Sequence, residues 1–162
     1  TLSCAKYCIV KAQLDYIKST FPSLLKTANK DKNPNWGRMD FQQMVEHLIL
    51  SFKNANGSLP ASKIITPAEN LEKLRAFLMS DKDFRENTKS PALPDEPFPH
   101  RFATVEQAIE KLISEINKWE QNYESTPNLT ILNPVFGELN FEESIQLLYK
   151  HCRHHARQFG LE

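Results

Sequence analysis

The feature that most constrains this chain is a set of apolar stripes at helical period, each opened by a capping residue. Asp40, with Gln43 three residues on, precedes Phe41, Met44, Val45, Leu48 and Phe52. Asn140, with Glu143 three residues on, precedes Phe141, Ile145, Leu148, Cys152 and Phe159. In such a pair the cap side chain accepts from a free backbone N–H of the first turn, and the Gln or Glu reaches back to the cap. Apolar residues recurring every three or four positions then share one buried face.

The same logic extends along the chain. Thr104 with Gln107 opens a stripe of Ile109, Leu112, Ile113, Ile116 and Trp119. Thr66-Pro67-Ala68-Glu69 reads as cap, first-turn proline and capping-box Glu of a shorter helix reaching about Ser80. An N-terminal helix spans about Ser3 to Lys26 on Ile9, Leu14, Ile17, Phe21 and Leu25, with Pro22 placed to kink or break it. Asn56-Gly57 and Gly160 are stop signals. No apolar–polar alternation is flanked by hairpin turns, so no strands are expected. Between the helices lie a polar loop from Asn29 to Gly37, a connection from Asn87 to Arg101 stiffened by Pro91, Pro94, Pro97 and Pro99, and a loop from Gln121 to Asn140. The expectation is an all-α fold, a four-helix bundle with a shorter helix in a long crossover connection. At 162 residues it is expected to form a single domain over 1–162.

Composition excludes several classes of function. Lys plus Arg and Asp plus Glu number 20 each, so no global field draws in nucleic acid. No apolar run approaches the roughly 20 residues of a membrane span, and Thr1 to Val10 lacks a signal core. The chain starts at Thr, which fits a trimmed chain or a piece of a longer polypeptide. Three cysteines, Cys4, Cys8 and Cys152, make no disulfide framework and point to a reducing, cytoplasmic setting. Cys4 and Cys8 are read as small buried residues rather than ligands.

The chemistry-bearing residues are the histidines. On a helix, four steps bring His155 to within about 40° of His151, so the two rings project side by side. The apolar face centres on the His155 side, which makes His151 and His155 the inward pair. His154 lies about 60° away in the other sense, towards solvent. His47 flanks the Met44–Leu48 stripe and is the candidate third ligand from a facing helix. Three neutral imidazoles would hold a divalent metal ion and leave a position for water or substrate. Zn, Ni and Fe all accept such a site, and the sequence does not choose among them.

Trp36-Gly37-Arg38-Met39 followed by Gln43-Met44-Val45-Glu46-His47-Leu48 resembles the first motif of the DinB-like superfamily, in the branch called DUF1569. Pro134-Val135-Phe136-Gly137-Glu138-Leu139 and then His151 to Phe159 resemble that branch's closing motif. The resemblance implies a four-helix bundle with a long crossover and a divalent metal held by His47, His151 and His155. Relatives often carry His where this chain has Asn133, so a contact made by that His is in question. Some members of the superfamily transfer low-molecular-weight thiols at their metal, and the same site would also suit hydrolysis. The partner expected is a small-molecule substrate such as a low-molecular-weight thiol, and a homodimer is compatible with the sequence. The opposing reading is a non-catalytic module, stabilised by its metal or attached to a larger enzyme.

Other polar residues have plainer readings. Glu46, about 100° from His47, is expected on a solvated face. Lys150, Arg153 and Arg157 are expected outward, favouring the helix C-terminus. Gln158 either solvates the helix end or bonds the outer nitrogen of a ligand. His100 is expected on the surface without a partner, and Trp36 and Phe136 are expected to anchor loops on the bundle.

Overall fold

The computed structural model describes residues 4–162. The start expected at Ser3 lies outside them. In chain order the elements are α1 (Cys4–Asp15), a π-helical turn (Tyr16–Thr20), α2 (Phe21–Thr27), α3 (Phe41–Ala55), α4 (Ala68–Leu78), α5 (Val105–Ser125), β1 (Ile131–Asn133), β2 (Gly137–Leu139) and α6 (Phe141–Gln158). The run from α1 through α2 counts as one bundle helix beside α3, α5 and α6, and α4 sits in the crossover from α3 to α5. The all-α four-helix bundle is as expected, with one small hairpin added.

Pro22 neither breaks nor ends the first helix. Its ring lacks an N–H and crowds the carbonyl four residues back. The chain answers by widening the preceding turn, so that Phe21 N–H reaches Tyr16 O, five residues away. A π turn thus absorbs the proline while the helix continues.

The two capping boxes form as read. Asp40 Oδ1 accepts from Gln43 N at 2.8 Å and Gln43 Oε1 accepts from Asp40 N at 2.9 Å. Asn140 and Glu143 repeat the exchange at 3.0 and 2.9 Å. The cap of α4 differs. Pro67 is itself the extended N-cap residue, with ψ 138°, and Thr66 Oγ1 instead donates to Val135 O at 2.7 Å. The α5 helix also runs to Ser125, past the end expected near Gln121.

The main core joins Ile17, Phe21 and Leu25 to Met44, Leu48 and Phe52, Leu112, Ile116 and Trp119, and Leu148, Cys152 and Phe159, none above 1% exposed. Trp119 meets its polar need inside this core by donating Nε1–H to Ser144 Oγ at 2.9 Å. Among the described residues no helix is long and apolar enough to cross a membrane.

The segment read as a loop before α6 contains the hairpin. β1 and β2 pair antiparallel with Ile131 opposite Leu139 and Asn133 opposite Gly137. Asn133 Oδ1 accepts from Val135 N and Phe136 N at 2.9 and 3.0 Å, and Gly137 leaves the turn at φ +80°, a left-handed conformation that glycine adopts without a Cβ clash. Arg75 of α4 grips the hairpin through Phe136 O and Glu138 O.

Candidate metal centre

The expected histidines converge. His47 stands on α3 two turns after its cap, and His151 and His155 stand one turn apart on α6. Ring nitrogens of the three all lie within 4.8 Å of one another. His151 Nε2 is 2.9 Å from His47 Nε2 and 3.0 Å from His155 Nε2. His155 is buried, and His47 and His151 are the more accessible members of the cluster.

The outer nitrogen of His155 is fixed. Gln158 Nε2 donates to Trp36 O at 2.9 Å, so Gln158 Oε1 faces His155 Nδ1 at 2.7 Å as an acceptor. That nitrogen then carries the proton, and His155 Nε2 presents a lone pair to the cluster. Of the two readings of Gln158, the bond to a histidine's outer nitrogen is the one realised. The loop before α3 holds the clamp in place. Asn35 N donates to Gln158 O at 2.7 Å, and Gly37, at φ +81°, leaves room where a Cβ would stand 2.8 Å from Gln158 Nε2.

This arrangement suits a cation. A ring nitrogen offers one proton or one lone pair, so His151 Nε2 cannot form full hydrogen bonds with both neighbours while His155 Nε2 stays unprotonated. One cation would accept all three lone pairs, and nitrogens bonded tetrahedrally to one ion at about 2.0–2.1 Å would stand about 3.3 Å apart, near the two separations above. Protons are poor competitors. Burial, reinforced by the charge on His154 when protonated, pushes His47 down from 6.5 to about 4. Burial and the neighbouring imidazoles hold His151 well below the usual range, and burial and His47 do the same to His155.

Several surroundings differ from expectation. His154 does not face solvent. It is 9% exposed, with its ring 5.5 Å from that of Trp36 and 6.3 Å from that of Phe84. Phe84 also lies 6.4 Å from His151 and 5.8 Å from Phe77, so the segment after α4 lays an aromatic wall against the last helix. Lys150 is buried on the same side, its Nζ donating to Phe77 O at 3.0 Å and Lys82 O at 2.5 Å. Burial lowers its pKa. Arg153 and Arg157 are outward but paired, both with Asp83.

Glu46 is also buried, not solvated. It accepts from Arg101 N at 2.8 Å, from Phe102 N at 3.2 Å and from Gln42 Nε2 at 2.9 Å, which pins the end of the crossover to α3. His100 does have a partner, Asp40 Oδ2 at 2.8 Å. Cys4 and Cys8 are exposed, contrary to expectation. Cys152 is buried, and burial raises its thiol pKa. The Asn133 side chain makes the hairpin turn and donates to Asn54 Oδ1 at 3.4 Å. Phe84 went unread because a single aromatic in a polar stretch has no period, and Phe77, although in step with Leu71, Leu74 and Leu78, carried no sign of what it would pack against.

Comparison with known proteins places these features in one family. The model of the DinB superfamily matches residues 19–159. No curated protein and no solved structure gives a significant match.

Proposed function

Since the chain belongs to the DinB superfamily, we propose that it binds one divalent metal ion through His47, His151 and His155 and uses the open position to activate a low-molecular-weight thiol for transfer. The observation that carries this reading is the convergence of three ring nitrogens that protonation does not satisfy, with His155 held in one tautomer by Gln158. A divalent ion there would lower the pKa of a thiol or a water and hold the resulting anion.

The chain's own residues supply the rest. His47 and His151 bring neutral nitrogens on the accessible side, and Gln158 keeps the ring of His155 from turning. Phe84 walls the site on the crossover side. Thiol transfer is favoured over hydrolysis because Glu46, the nearest carboxylate by sequence, is spent on Arg101 and Phe102. It is not free to act as a general base for water. The motifs around Trp36 and His151 support placement in the DUF1569 branch.

Two measurements test the proposal. Elemental analysis of the purified protein should find about one divalent metal per chain, the stoichiometry of a three-histidine site. Cobalt-substituted protein should develop a thiolate charge-transfer band on addition of 2-mercaptoethanol. A cobalt spectrum that no thiol or small anion perturbs would reject the open position and leave a structural or partner-binding module.

A further inference from the structure

We infer that Trp36 and His154 form a polar subsite beside the histidine cluster, which takes an oxygen atom of the ligand whose sulfur reaches the metal position. This inference rests on the proposed function and specifies its substrate: a short thiol bearing a hydroxyl or carboxylate close to the sulfur.

Among the described residues, two buried side-chain polar atoms lack any partner, Trp36 Nε1 and His154 Nδ1. They belong to neighbouring rings, 5.5 Å apart between centroids. The coincidence is informative because the other polar groups at this end of α6 are satisfied. Gln158 uses both ends of its amide, and Lys150 binds two carbonyls. A buried polar atom without a partner calls for one that is missing, a water, an ion or a ligand atom.

The position points to a ligand. His154 lies against His155, ring centroids 5.1 Å apart, and both His154 and His151 pack against Phe84. The orphaned pair therefore borders the cluster on its aromatic side. Trp36 is tied to that cluster through its own backbone, since its carbonyl holds Gln158, which holds His155. The chemistry of the pair narrows the class. An indole N–H only donates, so the occupant must accept there, while imidazole Nδ1 donates or accepts according to tautomer. A hydroxyl oxygen meets both demands in either tautomer, a carboxylate oxygen meets them where Nδ1 carries the proton, and a bare alkyl thiol meets neither.

The test compares ethanethiol, 2-mercaptoethanol and mercaptoacetate on cobalt-loaded protein and on its Trp36→Phe variant. Phe keeps the ring, and the clamp on Gln158 uses only backbone at this position. Both oxygen-bearing thiols also have some affinity for cobalt itself, so the decisive quantity is the change between the two proteins. Loss of one hydrogen bond should weaken the oxygen-bearing thiols about tenfold in the variant and leave ethanethiol unchanged. The thiol that loses more identifies the group recognised. Equal affinities in the two proteins would overturn the subsite and assign the two atoms to a buried water.

A second readout keeps the proposal separable from the proposed function. The Trp36 indole N–H resonance, identified by its absence in Trp36→Phe, is followed during titration with glycolate in metal-free and metal-loaded protein. If no thiol reaches the metal, the proposed function fails, and a shift of this resonance still supports the subsite. A resonance unmoved by glycolate in both forms overturns it.

Discussion

The last helix is buried on two faces that differ in kind. Towards the bundle it presents Ile145, Leu148, Cys152, Ala156 and Phe159, apolar and almost wholly covered. Towards the crossover it presents Lys150 and His154, polar and nearly as covered. The first face is held by burial itself, which has no preferred direction. The second needs particular atoms at particular places: the carbonyls of Phe77 and Lys82, and the rings of Phe84 and Trp36. His151 and His155 lie along the seam between them. Seen this way, the apolar face sets where α6 sits, and the polar face decides what can approach the histidines.

The seam gives the largest expected effect. His151→Ala and His155→Ala should each weaken metal binding beyond the roughly 100-fold seen for outer-shell changes, while His154→Ala should retain most of the metal. Equal losses in all three folded variants, by elemental analysis, would break the distinction between seam and crossover face. Next comes the apolar face: Leu148→Ala should cost about 2–5 kcal/mol in urea unfolding, the range for a large-to-small core change.

Smaller effects sharpen the contrast. Gln158→Ala should lower metal affinity about 10–100-fold by freeing the ring of His155. Competition with a chelator of known affinity would measure it, and an unchanged affinity would mean that the clamp does not orient the ligand. On the polar face, Lys150→Met removes an ammonium that bonds two carbonyls and lies 4.8 Å from the Phe77 ring centroid, and should cost about 1.5 kcal/mol, the low end for hydrogen bonds to a charged group. Hydrogen exchange should quicken mainly in residues 77–84. A cost equal to that of Leu148→Ala would show the two faces to be alike after all.

This contrast also explains what was legible beforehand. The bundle, its caps and the histidine set follow from period and from pairs three or four residues apart, which are local properties of a helix. The burial of Glu46, Lys150 and His154 depends on backbone brought from residues 77–102, and no spacing within their own helices announces it. The hairpin escaped notice because strands of three residues are too short to show alternation. The π turn was half-read: proline marked the place but not the remedy.

The separation of 104 positions between His47 and His151 has a consequence for how the chain becomes a protein. His151 and His155 can meet in any nascent turn of α6, but His47 joins them only once the crossover, α5 and the hairpin have been gathered between. In polymer terms an ion at this point is a cross-link closing a very long loop, a contact whose entropic cost rises with the logarithm of the span. Such a link would form late and would select the completed topology over partly assembled ones. By mass action, an ion present at 100 times its dissociation constant would add about 2.7 kcal/mol to the stability of the closed state alone. Chelation would withdraw that support from the bundle as a whole, including helices that never touch the metal.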